Sequence, residues 1–299
     1  MNISLKQLKY FAALAEHGHF GRAASALAIS QPALSVQIRD LETELGQPLF
    51  ERGPKGVQLT GFGTEFDTRA RIILGQIDDL SQFARAASDL STGQLRLGVI
   101  PTIAPYLLPR ILPRLKADLP DLELGLRETV TPRLMDDLAD GKIDAALVAL
   151  PVDAPWAETV PLFDEAMVLV RHQTEDGAEV PHRKDLSSAR VLMLEEGHCF
   201  RDLALDFCQI DRTARRRGLD GSSLSTLVQM VGAGFGMTLI PEMAVPVETR
   251  AAAVTTQRFS APQPTRTVGM VWRKSTPLSS HLATIAALIR EAAADEVSP

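Results

Sequence analysis

Apolar residues recur at helical spacing through the first ninety positions, and then the rhythm changes. Leu5, Leu8, Phe11 and Ala15 predict a first helix. Phe20, Ala23, Ala24 and Leu27 form the apolar face of a second, and Leu34, Ile38, Leu41 and Leu45 that of a third. Between the last two, Ser30 is a natural N-cap and Pro32 suits the first turn of the next helix. The stretch PLFERGPKGVQLT then reads as a short hairpin with a Gly/Pro/Lys tip, a wing. From Phe66 the positions Phe66, Ala70, Ile73, Ile77, Leu80, Ala84 and Ala87 alternate by four and three, an a/d seam of three heptads. Such a helix either packs on its own domain or buries Ile73, Ile77 and Leu80 against a second copy.

Beyond a hinge at Ser91-Thr92-Gly93, short apolar strands alternate with helical segments. Leu95, Leu97 and Val99 mark a strand, IAPYLLPRILPRLKADLP a Pro-punctuated helix, LELGLRE a strand, PRLMDDLADG a helix and IDAALVAL a strand. This order implies α/β layers with largely parallel sheets. A second lobe is expected from about Phe163, with strands AMVLV, VLML and MTLI and the helix SSLSTLVQMVGAG before MTLI. The chain then returns to the first lobe through RTVGMVWR and a final amphipathic helix after Ser279.

Composition narrows the classes of function. The chain has 299 residues, 45% of them hydrophobic, which suffices for two domains with sizeable cores. No apolar run reaches the roughly 18 residues of a membrane span, and no signal peptide is convincing at the N-terminus. A cytoplasmic protein without a membrane partner is expected, and structural disulfides are unusual there. The net charge of -6 gives no general attraction to nucleic acid, so any DNA affinity must be local. Neither a phosphate-binding loop nor an HExxH pattern is present, and GAGFG at 232–236 follows a helix, so it reads as a helix-to-strand turn. No metal and no cofactor are expected. The basic cluster RTARRR from Arg212 reads as a solvated loop.

The outward residues of the third helix bear on DNA. Gln31, Pro32, Ser35 and Arg39 lie away from the Leu34/Ile38 face, where glutamine can read adenine and arginine guanine or phosphate. Arg22, Arg52 and Lys55 are placed to grip the backbone. Glu16, Asp40, Glu42, Glu44 and Glu51 nearly balance these bases, so one copy should bind weakly and an oligomer is expected. A plain helical bundle shows the same periodicity, but the segment also carries A-A-x-x-L, S-Q-P-A-L-S-x-Q-I-R-x-L-E-x-E-L-G, L-F-E-R and T-x-x-G. In these motifs residues 5–63 resemble the LysR-type transcriptional regulators. The resemblance implies a mixed α/β chain in three parts. A winged helix-turn-helix occupies 1–60 and a linker or dimerisation helix 61–90. A two-lobed sensor resembling periplasmic binding proteins occupies 91–299, with lobe I at about 91–162 and 266–299 and lobe II at about 163–265.

Both cysteines of the chain lie in EEGHCFRDLALDFC, residues 195–208. Cys208 suits an apolar helix face with Ala204 and Leu205. Cys199 follows Gly197-His198 at the start of a helix, where the dipole favours a thiolate and His198, Arg201 or a remote arginine can add positive potential. The residues alone leave Cys199 either reactive or an inert buried thiol. The string L-M-L-E-E-G-H-C-F-R-D-x-A-x-x-F-C is similar to that of the hydrogen-peroxide sensors within the LysR-type family, as are GVIPTIAPYLLP, PLFDE and RTVGMVWR. That resemblance implies that Cys199 is the peroxidatic residue and Cys208 the resolving one. It also implies that Thr102, Thr131, His198, Asp202 and Arg266 line the peroxide pocket. Thr102 and Thr131 each precede an expected helix and can equally be N-caps, and Arg266 can equally pin a strand or pair with a carboxylate.

The expected partners are double-stranded promoter DNA, further copies of the chain as a dimer or tetramer, hydrogen peroxide as signal, RNA polymerase, and a thiol reductant that resets the switch. A regulator is expected, not an enzyme. The rival readings are a regulator with a small organic effector between its lobes, and a thiol peroxidase.

Overall fold

The computed structural model describes residues 3–53, 56–86, 93–181, 186, 189–208, 221–259 and 261–294, with all their side chains except those of Arg52, Asp78, Asp79, residues 81–86 and Cys199. Lys55, the linker end at 87–90, Ser91-Thr92 of the hinge and the cluster from Arg212 lie outside the described residues. The chain divides into two compact units, Met1–Gln82 with Ala139–Gly141, and Phe83–Leu138 with Lys142–Pro299.

The front unit contains α1 (Leu5–His17), α2 (Phe20–Ala26), α3 (Gln31–Leu45), a hairpin of β1 (Phe50–Gly53) and β2 (Gly56–Leu59), and α4 (Gly61–Ala86). Ser4 and Gln7 close a capping box at the start of α1, and Ser30 Oγ caps α3 by accepting from the Ala33 N–H at 3.3 Å. Leu8, Phe11, Leu14, Leu34, Ile38, Leu41 and Leu49 form the core. The face of α1 is shifted from the expected one. Leu5, in the first turn, is exposed, and Tyr10 and Leu14 are buried where Ala15 was expected. The larger side chains at i, i+3 and i+6 win the contact over alanine because they remove more apolar area from water.

The T-x-x-G motif has a structural cause. Thr60 Oγ1 accepts from the Gly63 N–H at 2.8 Å at the start of α4. A Cβ on Gly63 would stand 2.1 Å from the Leu49 carbonyl oxygen, so only glycine lets the helix approach the wing this closely. Glu42, expected to offset the bases of the segment, instead accepts from the N–H groups of Leu49 at 2.8 Å and Phe50 at 3.2 Å, tying α3 to the wing.

The second unit is built on a sheet of order β4-β3-β5-β9-β6-β7, with β8 also paired to β6. Its elements are β3 (Gln94–Val99), α5 (Ala104–Asp118), β4 (Glu123–Glu128), α6 (Thr131–Ala139), β5 (Ala145–Leu150), β6 (Ala157–His172), α7 (Cys199–Phe207), α8 (Leu224–Gly232), β7 (Thr238–Pro241), α9 (Val245–Glu248), β8 (Val254–Gln257), β9 (Thr265–Arg273) and α10 (Ser279–Ala294). The sheet is mixed, which corrects the largely parallel expectation. β3 pairs parallel with β4 and β5, whereas β9 pairs antiparallel with both β5 and β6, and β7 and β8 pair antiparallel with β6. Residues 151–156 between β5 and β6 are too few for a crossover helix, which needs about a dozen. The returning β9 lies between them and runs against both.

Near Phe163, where the second lobe is expected to begin, β6 changes partners: it pairs with β9 as far as Ala166 and with β7 from Met167. VLML is not a regular strand. Among the described residues it makes only isolated parallel bridges, Val191 to Met237 and Leu194 to Gly221, although all four side chains are buried. A continuous apolar run reports burial, not ladder pairing. No described helix is long and apolar enough to cross a membrane.

Candidate functional site

The sole two cysteines stand at opposite ends of α7. Its first residue is Cys199, and Cys208 is the C-cap, its N–H donating to the Ala204 carbonyl at 2.9 Å. Cys208 carries its sulfur as a thiol, fully buried beside Phe200, Ala204 and Leu205 on the apolar face of α7. Phe207 meets Phe259 edge-on, with ring centroids 4.9 Å apart. The turn that opens α7 is fixed on both sides. Gly197 has φ +95°, a left-handed conformation that favours glycine, and lies against Val130. Arg201 Nη1 donates to the Leu194 carbonyl at 2.8 Å, tying the first turn back to the VLML segment.

Val130 immediately precedes α6, so Gly197, in the turn before α7, lies at the amino end of α6. Thr131 is the first residue of α6, inside the helix and not its N-cap, and its Oγ is buried without a hydrogen-bond partner among the described residues. Burial holds the His198 pKa below its ordinary value, with Glu195 opposing more weakly. This shift works against a positive charge on His198. Asp202 is exposed on the first turn of α7.

Thr102 follows β3 and Thr131 follows β4, adjacent parallel strands, so both leave the carboxyl edge of the sheet. The order β4-β3-β5 sends successive connections to opposite sides of β3, the arrangement that opens a crevice at that edge. Thr102 does not cap α5 either. The N-cap there is Ile103, and Thr102 instead joins Arg266. Arg266 Nη1 donates to Thr102 Oγ1 and Nη2 to the Thr102 carbonyl, both at 2.8 Å, and Nε donates to Glu165 Oε2 at 2.8 Å. Glu165 Oε1 accepts from the Met243 N–H at 3.0 Å. Thr102, Glu165 and Arg266 are all buried, so the pair is a satisfied internal ion pair and not a lone cation.

Of the expected pocket residues, Thr102 and Arg266 are joined directly, while Gly197, ahead of α7, lies near Val130 at the amino end of α6. Sequence reasoning missed Glu165, although it lies in the PLFDE string and a strand arginine that is buried demands a carboxylate. It also missed Tyr106, whose hydroxyl donates to Glu248 Oε1 at 2.7 Å. Burial first, and then Glu248, raise the Tyr106 pKa far above its ordinary value, so the phenol stays protonated. Among the described residues no cluster of three or more His, Cys, Asp or Glu could hold a metal ion.

In the front unit, α3 presents Gln31, Pro32 and Arg39 as exposed and Ser35 as half-buried, and Arg22 is exposed on α2. Arg52 lies on β1 of the wing. On α4, Phe66 and Ala70 pack into the front unit's own core, while Ile73, Ile77 and Leu80 are 44%, 38% and 64% exposed. The seam therefore divides, its first turn internal and its next two turns turned outward.

Comparison with known proteins adds to this geometry. The profile described as "Bacterial regulatory helix-turn-helix protein, lysR family" matches residues 5–64, and that of the "LysR substrate binding domain" matches residues 88–294. The chain is 40% identical over 290 residues to the Escherichia coli K12 "DNA-binding transcriptional dual regulator OxyR", covering 96% of this chain and 95% of that one. A full-length OxyR variant from Pseudomonas aeruginosa superposes with TM-score 0.74 at 35% identity, covering 97% of this chain and 95% of that one. A hydrogen-peroxide-bound OxyR mutant from Corynebacterium glutamicum superposes with TM-score 0.66 at 34% identity, covering 98% and 93%.

Proposed function

The chain belongs to the LysR family of bacterial helix-turn-helix regulators, and from that premise we propose that it activates transcription in response to hydrogen peroxide. The observation that carries the reading is the placing of its sole cysteines at the two ends of α7. Attack by the Cys199 thiolate on one peroxide oxygen gives a sulfenic acid, and the other oxygen leaves as hydroxide and takes a proton to become water. The Cys208 thiol then attacks the sulfenic sulfur, forms the Cys199–Cys208 disulfide and releases a second water. The amino end of α7 favours the thiolate. Thr102 and Thr131 orient the peroxide, and Arg266, fixed by Glu165, holds Thr102 in place. Neutral His198 donates a hydrogen bond to the leaving oxygen, and Asp202 flanks the entrance.

The front unit reads promoter DNA through Gln31, Pro32, Ser35 and Arg39, and Arg22, Arg52 and Lys55 hold phosphates. Ile73, Ile77 and Leu80 join copies of the chain. RNA polymerase receives the signal, and a thiol reductant restores both thiols.

The test couples a thiol count by mass spectrometry to DNA footprinting, before and after stoichiometric peroxide. The parent protein is expected to lose two hydrogens and change its footprint. Cys199→Ser should keep the reduced footprint, and Cys208→Ser should gain one oxygen and form no intramolecular bond. Steady consumption of peroxide with an unchanged footprint would instead mark a peroxidase. A footprint that responds normally with both cysteines replaced would mark a regulator with another effector.

A further inference from the structure

On α3, Val36 has 42% of its surface exposed, although it sits in the middle of a fifteen-residue helix. A lone exposed apolar residue is ordinary; the position of this one is informative. At about 100° per residue, Val36 lies roughly 140–160° from each of the buried Leu34, Ile38 and Leu41. It therefore stands almost opposite the core-facing stripe, with the exposed Pro32 one turn before it and the exposed Arg39 one turn after it. Helix stability does not account for the choice, since a β-branched valine is a weaker helix former than alanine at an exposed site. Its isopropyl group offers no hydrogen-bond donor or acceptor. In a major groove the one base feature it can recognise is the thymine C5-methyl, while Gln31 and Arg39 supply the polar contacts.

We propose that Val36 is a specificity-determining residue of the DNA-reading surface and that it selects a thymine in each half-site through methyl contact. The assignment rests on the regulator reading above and adds a residue and a base to it. Replacing thymine by deoxyuridine removes the methyl and leaves every hydrogen-bonding group, so it isolates the contact.

The experiment begins by selecting bound duplexes from random-sequence DNA with the full-length chain. Each thymine of the selected site is then replaced in turn by deoxyuridine, and affinity is measured for the parent and for Val36→Ala. Alanine is a good helix former and the site is exposed, so the variant folds. The parent is expected to lose about fourfold in affinity at one thymine per half-site, the worth of one buried methyl-sized group. Val36→Ala should show a similar loss on the thymine duplex and no further loss on the deoxyuridine duplex. A parent indifferent to every replacement, or a Val36→Ala protein as sensitive as the parent, overturns the assignment while leaving the regulator reading intact. Failure to select any duplex removes that reading and this assignment together.

Discussion

Thr131 and Thr102 leave the same edge of the sheet, yet the fold uses them differently. Thr102 Oγ1 accepts from Arg266, whereas Thr131 Oγ is buried with no partner among the described residues. Thr102→Val should therefore destabilise the protein by about 1–3 kcal/mol, because it leaves a buried guanidinium N–H without its acceptor. Thr131→Val keeps the shape and removes an unsatisfied hydroxyl, so urea unfolding should show no loss of stability. Its oxidation by peroxide should nevertheless slow, as read from the rate of thiol loss. If Thr131→Val unfolds early and oxidises at the parent rate, the hydroxyl is structural. His198 makes a second prediction. Its folded pKa is lowered from the ordinary 6.5 by burial, so on acidification the unfolded chain takes up the proton first. The stability held by the neutral imidazole is complete above about pH 6.5 and is lost as pH falls from there toward the lowered value. Denaturation across that range should show a slope in the parent that flattens in His198→Gln.

Among the elements, α4 is where one stripe of residues serves two surfaces. Phe66 and Ala70 pack inward, and Ile73, Ile77 and Leu80 continue the same seam into exposed positions. Ile77→Asp places a charge where a second copy would bury it, so sedimentation should show monomers with weakened operator binding. A variant that sediments as the parent does counts against the seam. The front helices were legible in the sequence because cap and period coincide: Ser30 before α3 accepts the backbone N–H of Ala33, as its N-cap reading requires. The strands of the second unit were less legible. β6 is sixteen residues long because one strand serves two sets of partners, and only its AMVLV stretch was read as a strand, while β8 carries only half-buried side chains and has no local signature. At the candidate site, the cysteines and glycine announced themselves by rarity and by turn position. Glu165, Tyr106 and Glu248 did not, because their partners are about 80 to 140 residues away in the chain and only the folded sheet brings them together.

At the scale of the whole molecule, the central claim is that the Cys199–Cys208 bond and α7 exclude each other. Nine residues of helix rise about 13.5 Å, whereas a disulfide requires Cα atoms within roughly 7 Å. Forming the bond must unwind α7 and draw Phe207 from Phe259 and Leu205 from the core, trading one packing of this unit for another. Such a spacing makes a poor staple and an effective switch, and it links a two-electron oxidation to a change that the DNA-reading unit can respond to. Amide hydrogen exchange across residues 199–208, measured on the reduced and the peroxide-oxidised full-length chain, tests this most directly. The reduced protein should protect the α7 amides, and the oxidised protein, with the disulfide verified by mass spectrometry, should exchange them much faster. Equal protection in the two states, with the bond present, would contradict the account.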